Sequence, residues 1–198
     1  LLVHKSIFKK CLVLDLDNTL WGGIIGDDGI DKIQLGELGI GKAFVDFQTW
    51  IIKLKERGII ICICSKNSED IAKNVFINHP DMKLTLDDIS VFVANWDSKV
   101  DNIKNIQKVL NIGFDSMVFL DDNPYERDSV RNNIPEITVP DLPIDPANYL
   151  SFLYQENLFE TNSFSDLDKN RTNLYQTEYE RVKLKSNFTD LSQYMRGL

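Results

Sequence analysis

Four short, unbroken apolar runs constrain this chain more than anything else in it: Cys11-Leu12-Val13-Leu14, Ile59 to Cys64, Val91-Phe92-Val93-Ala94 and Met117-Val118-Phe119-Leu120. They are too brief for helices and lack period-two alternation, so they read as strands buried on both faces. Between them lie segments of helical period. Gly41 to Arg57 places Phe44, Phe47, Ile51 and Leu54 on one face, and Gly58 ends it. Ser68 to Asn78 reads as a second helix, closed by His79-Pro80. Lys99 to Leu110 reads as a third, with Val100, Ile103, Ile106 and Leu110 on one face. Asn123-Pro124 opens another, with Asn123 as N-cap, Pro124 at the first position and Glu126 placed for a capping box. Ile137-Thr138-Val139 suggests a short fifth strand. Strand and helix in alternation predict an α/β fold, a parallel sheet between two helical layers, with its site at the carboxyl ends of the strands.

One stretch breaks the rhythm. Leu20 to Leu38 separates the first strand from its helix and carries Gly22, Gly23, Gly26, Gly29 and Gly36. A plain strand-to-helix loop has roughly 2–6 residues, so this insert reads as a small hairpin or flap over the site. Asp27 and Asp28 fall on it as solvated turn residues. After Pro140 the chain becomes proline-punctuated, with short helices suggested at 148–156 and 172–185. Residues 1–156 are therefore read as one domain, with the flap at about 20–38. Residues 157–198 are read as a polar, partly helical extension, or a linker to a domain outside this chain, which starts without Met.

The strand ends carry the chemistry. The first strand runs into Asp15-Leu16-Asp17-Asn18-Thr19, the second into Ser65-Lys66-Asn67 and the fourth into Asp121-Asp122-Asn123. Lys99 begins the helix after the third. A parallel sheet brings all of them to one edge, and with them up to four carboxylates: Asp15, Asp17, Asp121 and Asp122. Two unit charges 4 Å apart repel by roughly 4 kcal/mol at an effective dielectric near 20, so such a cluster needs a cation. Oxygen donors without His or Cys point to a hard ion, Mg²⁺, rather than zinc. A lysine and a hydroxyl beside it suit a phosphoryl group, and a carboxylate can attack phosphorus. The chain carries a formal charge of -8, which argues against nucleic acid or an anionic membrane surface as partner. Cys11, Cys62 and Cys64 sit inside apolar runs without framework spacing, as buried thiols of a reducing, cytoplasmic setting would.

These residues resemble the four motifs of the haloacid dehalogenase (HAD) superfamily: Asp15-Leu16-Asp17-Asn18-Thr19, Ser65, Lys99 and Asp121-Asp122. The closer resemblance is to its FkbH-like branch (subfamily IIIC). It rests on Asp17-Asn18-Thr19-Leu20-Trp21-Gly22-Gly23, Ile63-Cys64-Ser65-Lys66-Asn67, Asn95-Trp96 before Lys99, and Phe119 to Pro124 followed by Glu126-Arg127. The resemblance implies a HAD-like Rossmannoid three-layer core with a short flap and no large cap. It implies Mg²⁺-dependent phosphoryl transfer from a phosphorylated small molecule through an aspartyl-phosphate. Asp15 is then nucleophile and metal ligand. Asp17 is general acid and base, its backbone carbonyl touching the metal. Ser65 and Lys99, with Asn18 and Lys66, hold the phosphoryl group. Asp122 is the direct metal ligand of its pair, with Asp121 in support. Thr19, Trp21 and Asn123 support the loops. The branch further implies loading of a glyceryl group onto an acyl carrier protein, or a place in a multidomain protein. Cys64 is the thiol placed nearest to serve, although a structural role suits it better.

Trp21 has two readings, a cover over the substrate or a packed plug at the base of the flap, and packing is favoured. Trp96 is expected to fix the loop of Lys99 rather than stack on a ligand. Two other functions stay open. A receiver domain also gathers aspartates and a lysine, but carries its acidic pair after the first strand, whereas here Asp121-Asp122 follow the fourth. A non-catalytic docking module for a carrier protein or a fused acyltransferase domain is the second alternative; the complete motif set argues against it.

Overall fold

The computed structural model describes residues 8–159 and 172–183. The readings placed on 1–7, 160–171 and 184–198 lie outside the described residues. Strands β1 (Cys11–Leu14), β2 (Ile60–Ser65), β3 (Val91–Ala94) and β4 (Met117–Leu120) form one parallel sheet in the order β3-β2-β1-β4. Strands β1, β2 and β4 are buried along their whole length, which explains their uninterrupted apolar sequence. Leu14 lies level with both Ile63 and Leu120. Asp15 and Asp121 therefore leave the sheet side by side, and the Asp15 N–H donates to the Leu120 carbonyl at 3.0 Å.

Helices α2 (Ile40–Glu56), α3 (Glu69–Asn78) and α6 (Tyr149–Glu156) supply the layer on one face of the sheet. Leu12, Leu14, Ile61 and Ile63 meet Phe44, Phe47, Ile51, Val75 and Tyr149 there. On the other face, Val13, Cys62, Cys64 and Phe119 pack with Val100, Ile103 and Ile106 of α4 (Lys99–Leu110) and Val130 of α5 (Pro124–Asn133). The expected three layers and helical faces are present. Gly58, at φ 85°, adopts the left-handed backbone that lets the chain leave α2 and enter β2.

Two expectations are corrected in detail. The fifth strand is a single bridge, Val118 to Thr138, beside β4; Pro140 follows at once and cannot extend a ladder. The flap is not a regular hairpin. One antiparallel bridge, Gly22 to Gln34, closes it, and a single helical turn, α1 (Ile25–Asp28), occupies its tip. Asp27 and Asp28 are exposed on that turn, and Asp28 accepts the Ile24 N–H.

Residues 172–183 are helical and lie along the outer edge of the sheet. The Gln176 amide donates to the Ile89 carbonyl at 2.6 Å, and the Tyr179 hydroxyl to the Phe92 carbonyl at 2.9 Å. Side chains thereby satisfy backbone acceptors at an edge that would otherwise invite strand pairing.

Candidate active site

Asp15, Ser65 and Asp121 sit where a strand hands over to a loop, and Lys99 opens α4 just beyond β3. After β1 the chain turns tightly, with the Leu20 N–H returning to the Leu16 carbonyl at 2.7 Å. Asn18 takes a left-handed backbone, φ 56°, and its side-chain oxygen accepts the Gly23 N–H at 2.8 Å. Asn tolerates that conformation better than most residues. The Tyr149 hydroxyl, from α6, donates to the Asn18 carbonyl at 3.0 Å.

Asp15 and Asp121 flank Lys99. The ammonium lies 2.9 Å from Asp15 Oδ1 and 2.5 Å from Asp121 Oδ2, and all three residues are buried. Burial alone would lower the Lys99 pKa, but the two carboxylates outweigh it and hold it above its ordinary value. Burial pushes Asp121 up to about 7, and the Asp15 charge adds to this. The same two causes push Asp122 up to about 6.

Carboxylate oxygens of Asp15, Asp121 and Asp122 lie within 4.8 Å of one another. Three hard oxygen donors at this spacing fit a small divalent cation. Asp121 spends Oδ2 on Lys99 and accepts the Asn123 N–H on Oδ1 at 2.9 Å, whereas Asp122 faces the cavity beside Asp15.

Asp17 is held apart from that cluster. Its Oδ1 accepts from Trp21 Nε1 at 2.9 Å and from the Ile25 N–H at 3.0 Å, and its Oδ2 from Asn67 Nδ2 at 2.8 Å. Burial raises its pKa, opposed by those three donors and assisted by the Asp15 charge. Trp21 is fully buried against Phe76, as the packing reading expects, and it is also a donor to the site.

A cavity of about 570 Å³ opens above these groups, lined by Asp15, Asp17, Asn18, Ser65, Lys66, Lys99, Asp122 and Asn123 among others. Asn123 caps α5, accepting the Tyr125 N–H at 3.0 Å. Lys66 reaches the cavity, but its ammonium is paired with Glu126 at 2.6 Å. That pair also corrects the capping-box reading of Glu126, whose carboxylate turns to Lys66. Trp96 is corrected too. It is 75% exposed on the cavity wall and does not pack beneath the Lys99 loop. Asn95 does that work, exchanging hydrogen bonds with Asn102 of α4 at 2.7 and 3.2 Å. Cys64 is buried, its Sγ 3.8 Å from the Lys99 carbonyl, and burial raises its thiol pKa well above the ordinary value.

Two supporting roles escaped the sequence reading, although Arg127 stands among its motif residues. Arg127 is buried and donates to the Asp121 and Asp122 carbonyls at 2.9 and 2.7 Å, fixing the backbone of that loop. Gln48, fully buried, ties the Leu20 carbonyl to the Lys83 N–H, both at 2.8 Å. An Asn-Pro-x-Glu-Arg stretch after a strand end does signal Arg127. Nothing local marks Gln48.

No protein-family model and no curated protein matches the chain. Among solved structures, it is 65% identical to the N-terminal part of the protein BF1531 from Bacteroides fragilis, described as containing a phosphatase domain complexed with Mg, at a TM-score of 0.79. That match takes in 80% of this chain and 42% of the other, so the chain spans less than half of it. Two structures of a HAD-family enzyme from Bacteroides thetaiotaomicron also match, at 15% and 17% identity and TM-scores of 0.47 and 0.46. Each covers 69% of this chain and 95% of the other, and one of them holds magnesium and inorganic phosphate. Its solved neighbours are a phosphatase domain and HAD-family enzymes.

Proposed function

We propose that this chain is a HAD-type, Mg²⁺-dependent phosphatase domain that works through an aspartyl-phosphate. One observation carries the reading: Asp15, Asp121 and Asp122 converge around Lys99 from two adjacent strand ends, with Asp17 set apart from them on its own donors. The likeness to a Mg-complexed phosphatase domain supports it.

Asp15 and Asp122 would hold the cation, with Asp121 in support. When bound, Mg²⁺ offsets the charge of the carboxylates and polarises the phosphoryl group. Asp15 attacks phosphorus as the ester P–O bond breaks. Asp17 gives its proton to the leaving oxygen. In the second step Asp17 takes a proton from water, which attacks the acyl phosphate, releasing phosphate and restoring Asp15. Ser65 and Lys99 hold the phosphoryl oxygens, with Asn18 and Lys66 at the rim. Lys66 must yield its pairing with Glu126 to take part.

Within that class we place the chain in the FkbH-like branch, as a cytoplasmic domain of a multidomain protein acting on a phosphorylated three-carbon acid, with an acyl carrier protein as acceptor of the glyceryl group. The motif residues Trp21-Gly22-Gly23, Asn95-Trp96 and Glu126-Arg127 support this. The burial of Cys64 argues that any acceptor thiol comes from the partner.

The test is phosphate release from p-nitrophenyl phosphate, with Mg²⁺ and with EDTA, by the wild type and Asp15→Asn. Metal-dependent release that vanishes in the variant supports the mechanism. Release that survives Asp15→Asn overturns it. Loading of acyl carrier protein from the phosphorylated three-carbon acid, read by mass, tests the finer reading separately.

A further inference from the structure

Asn67 lies just beyond β2 and is 3% exposed. Its amide nitrogen carries two protons, and both have an acceptor: Asp17 Oδ2 at 2.8 Å and Ser65 Oγ at 3.3 Å. One amide thus joins two groups that reach the cavity from different strands.

The consequences follow from counting lone pairs. A carboxylate offers about two acceptor sites on each oxygen. Asp17 Oδ1 already takes two donors, Trp21 Nε1 and the Ile25 N–H, and is filled. Oδ2 takes only Asn67 and keeps one site open. A serine hydroxyl that accepts a hydrogen bond keeps its own proton to donate. Asn67 therefore turns the Ser65 proton outward to an incoming oxygen and leaves Oδ2 as the oxygen through which Asp17 can pass a proton.

We propose that Asn67 is a positioning residue of the phosphoryl-transfer site, aiming the Asp17 carboxyl at the leaving oxygen and the Ser65 hydroxyl at the phosphoryl group. The inference rests on the phosphatase reading above. Asn67 itself lines the cavity, and the part assigned to it is to act through the two groups it bonds, Asp17 and Ser65.

A buried amide with only a packing role would give a different result, and the leaving group separates the two. Nitrophenolate departs with little help from an acid. Phenolate, of nearly the same shape, needs a proton as it leaves. The value of kcat/KM reports events up to that departure, before water enters. The experiment compares p-nitrophenyl phosphate with phenyl phosphate, in Mg²⁺, for the wild type, Asn67→Ala, Asn67→Asp and Ser65→Ala.

Well-placed general acids contribute roughly 10²–10⁴-fold. Asn67→Ala is accordingly expected to lose at least about tenfold more kcat/KM on phenyl phosphate than on p-nitrophenyl phosphate. Ser65→Ala removes the longer Asn67 bond and the grip on the phosphoryl group but leaves the Asn67–Asp17 bond in place, so it should lose nearly the same factor on both. If Asn67→Ala does not fold, Asn67→Asp keeps the shape without the amide donor and should show the same ordering. Equal losses on the two esters in a folded Asn67 variant, with an active wild type, overturn the inference and leave the phosphatase reading standing. A wild type inert toward both esters overturns the reading and the inference with it.

Discussion

The Thr19 hydroxyl accepts the backbone N–H of Asp122 at 3.2 Å across 103 residues of sequence, tying the loop after β1 to the loop after β4. Thr19 is fully buried, so water cannot replace it. Valine in its place keeps the shape and deletes the acceptor. A buried donor left unpaired costs about 1–3 kcal/mol, and the loop carrying Asp122 loses its anchor. Thr19→Val should lower the melting temperature and weaken Mg²⁺ binding by calorimetry, while Thr19→Ser keeps the acceptor and preserves the Mg²⁺ affinity. Unchanged Mg²⁺ affinity in a folded Thr19→Val would show that the tie is structural alone.

Lys99 neutralises two buried carboxylates at once, so its removal should be the most damaging change at the site. Breaking a buried ion pair by deleting one partner costs roughly 3–5 kcal/mol. Lys99→Met leaves Asp15 and Asp121 facing each other without a cation between them. Thermal denaturation should show a large loss of stability, partly restored by Mg²⁺, with phosphate release abolished. A Lys99→Met protein as stable as wild type would mean that the pair contributes nothing to the fold.

The sequence made the sheet, its order of motifs and the convergence of Asp15, Lys99, Asp121 and Asp122 readable. Unbroken apolar runs define strands buried on both faces, and parallel strands bring their carboxyl ends together. What it concealed depends on side-chain direction. Trp96 and Asn95 are adjacent in sequence, yet Asn95 turns inward to Asn102 and Trp96 points outward; hydrophobicity suggests the reverse. Glu126 stands in the third helical position, suited to a capping box, but the cation of Lys66 attracts its carboxylate more strongly than a neutral N–H. Gln48 looks like any polar residue on α2, because its partners at Leu20 and Lys83 are fixed only by the tertiary fold.

The acidic cluster also contributes to how stability varies with pH. Asp121 and Asp122 are pushed up to about 7 and about 6 by burial and by Asp15, while an unfolded Asp titrates near ~3.9. Between those values the native state binds more protons than the unfolded one, so this contribution to stability is largest at acid pH and falls as pH rises. A divalent cation binds the ionised carboxylates and opposes that fall. The Tm increment from Mg²⁺ should therefore grow between about pH 5 and about pH 8, and Asp122→Asn should shrink it. An increment independent of pH would show that these carboxylates do not hold the cation.

Trp96 offers a direct optical view of the cavity. Trp21 is fully buried and Trp50 nearly so, whereas Trp96 is 75% exposed on the cavity wall. Acrylamide should therefore quench mainly the Trp96 emission, and Trp96→Phe should remove most of the quenchable signal. On the proposed reading, with the phosphoryl group at Lys99, the organic part of a phosphate ester is expected to lie toward Trp96, Ile24 and Ile71, exposed apolar residues that line the same cavity. Aromatic contact of this kind contributes beyond buried area alone. Phenyl phosphate, in Mg²⁺ with Asp15→Asn to prevent turnover, should protect Trp96 from acrylamide, whereas inorganic phosphate should protect it little. Equal protection by both would place the organic group away from Trp96 and shift the specificity surface to the Lys66–Glu126 side of the cavity.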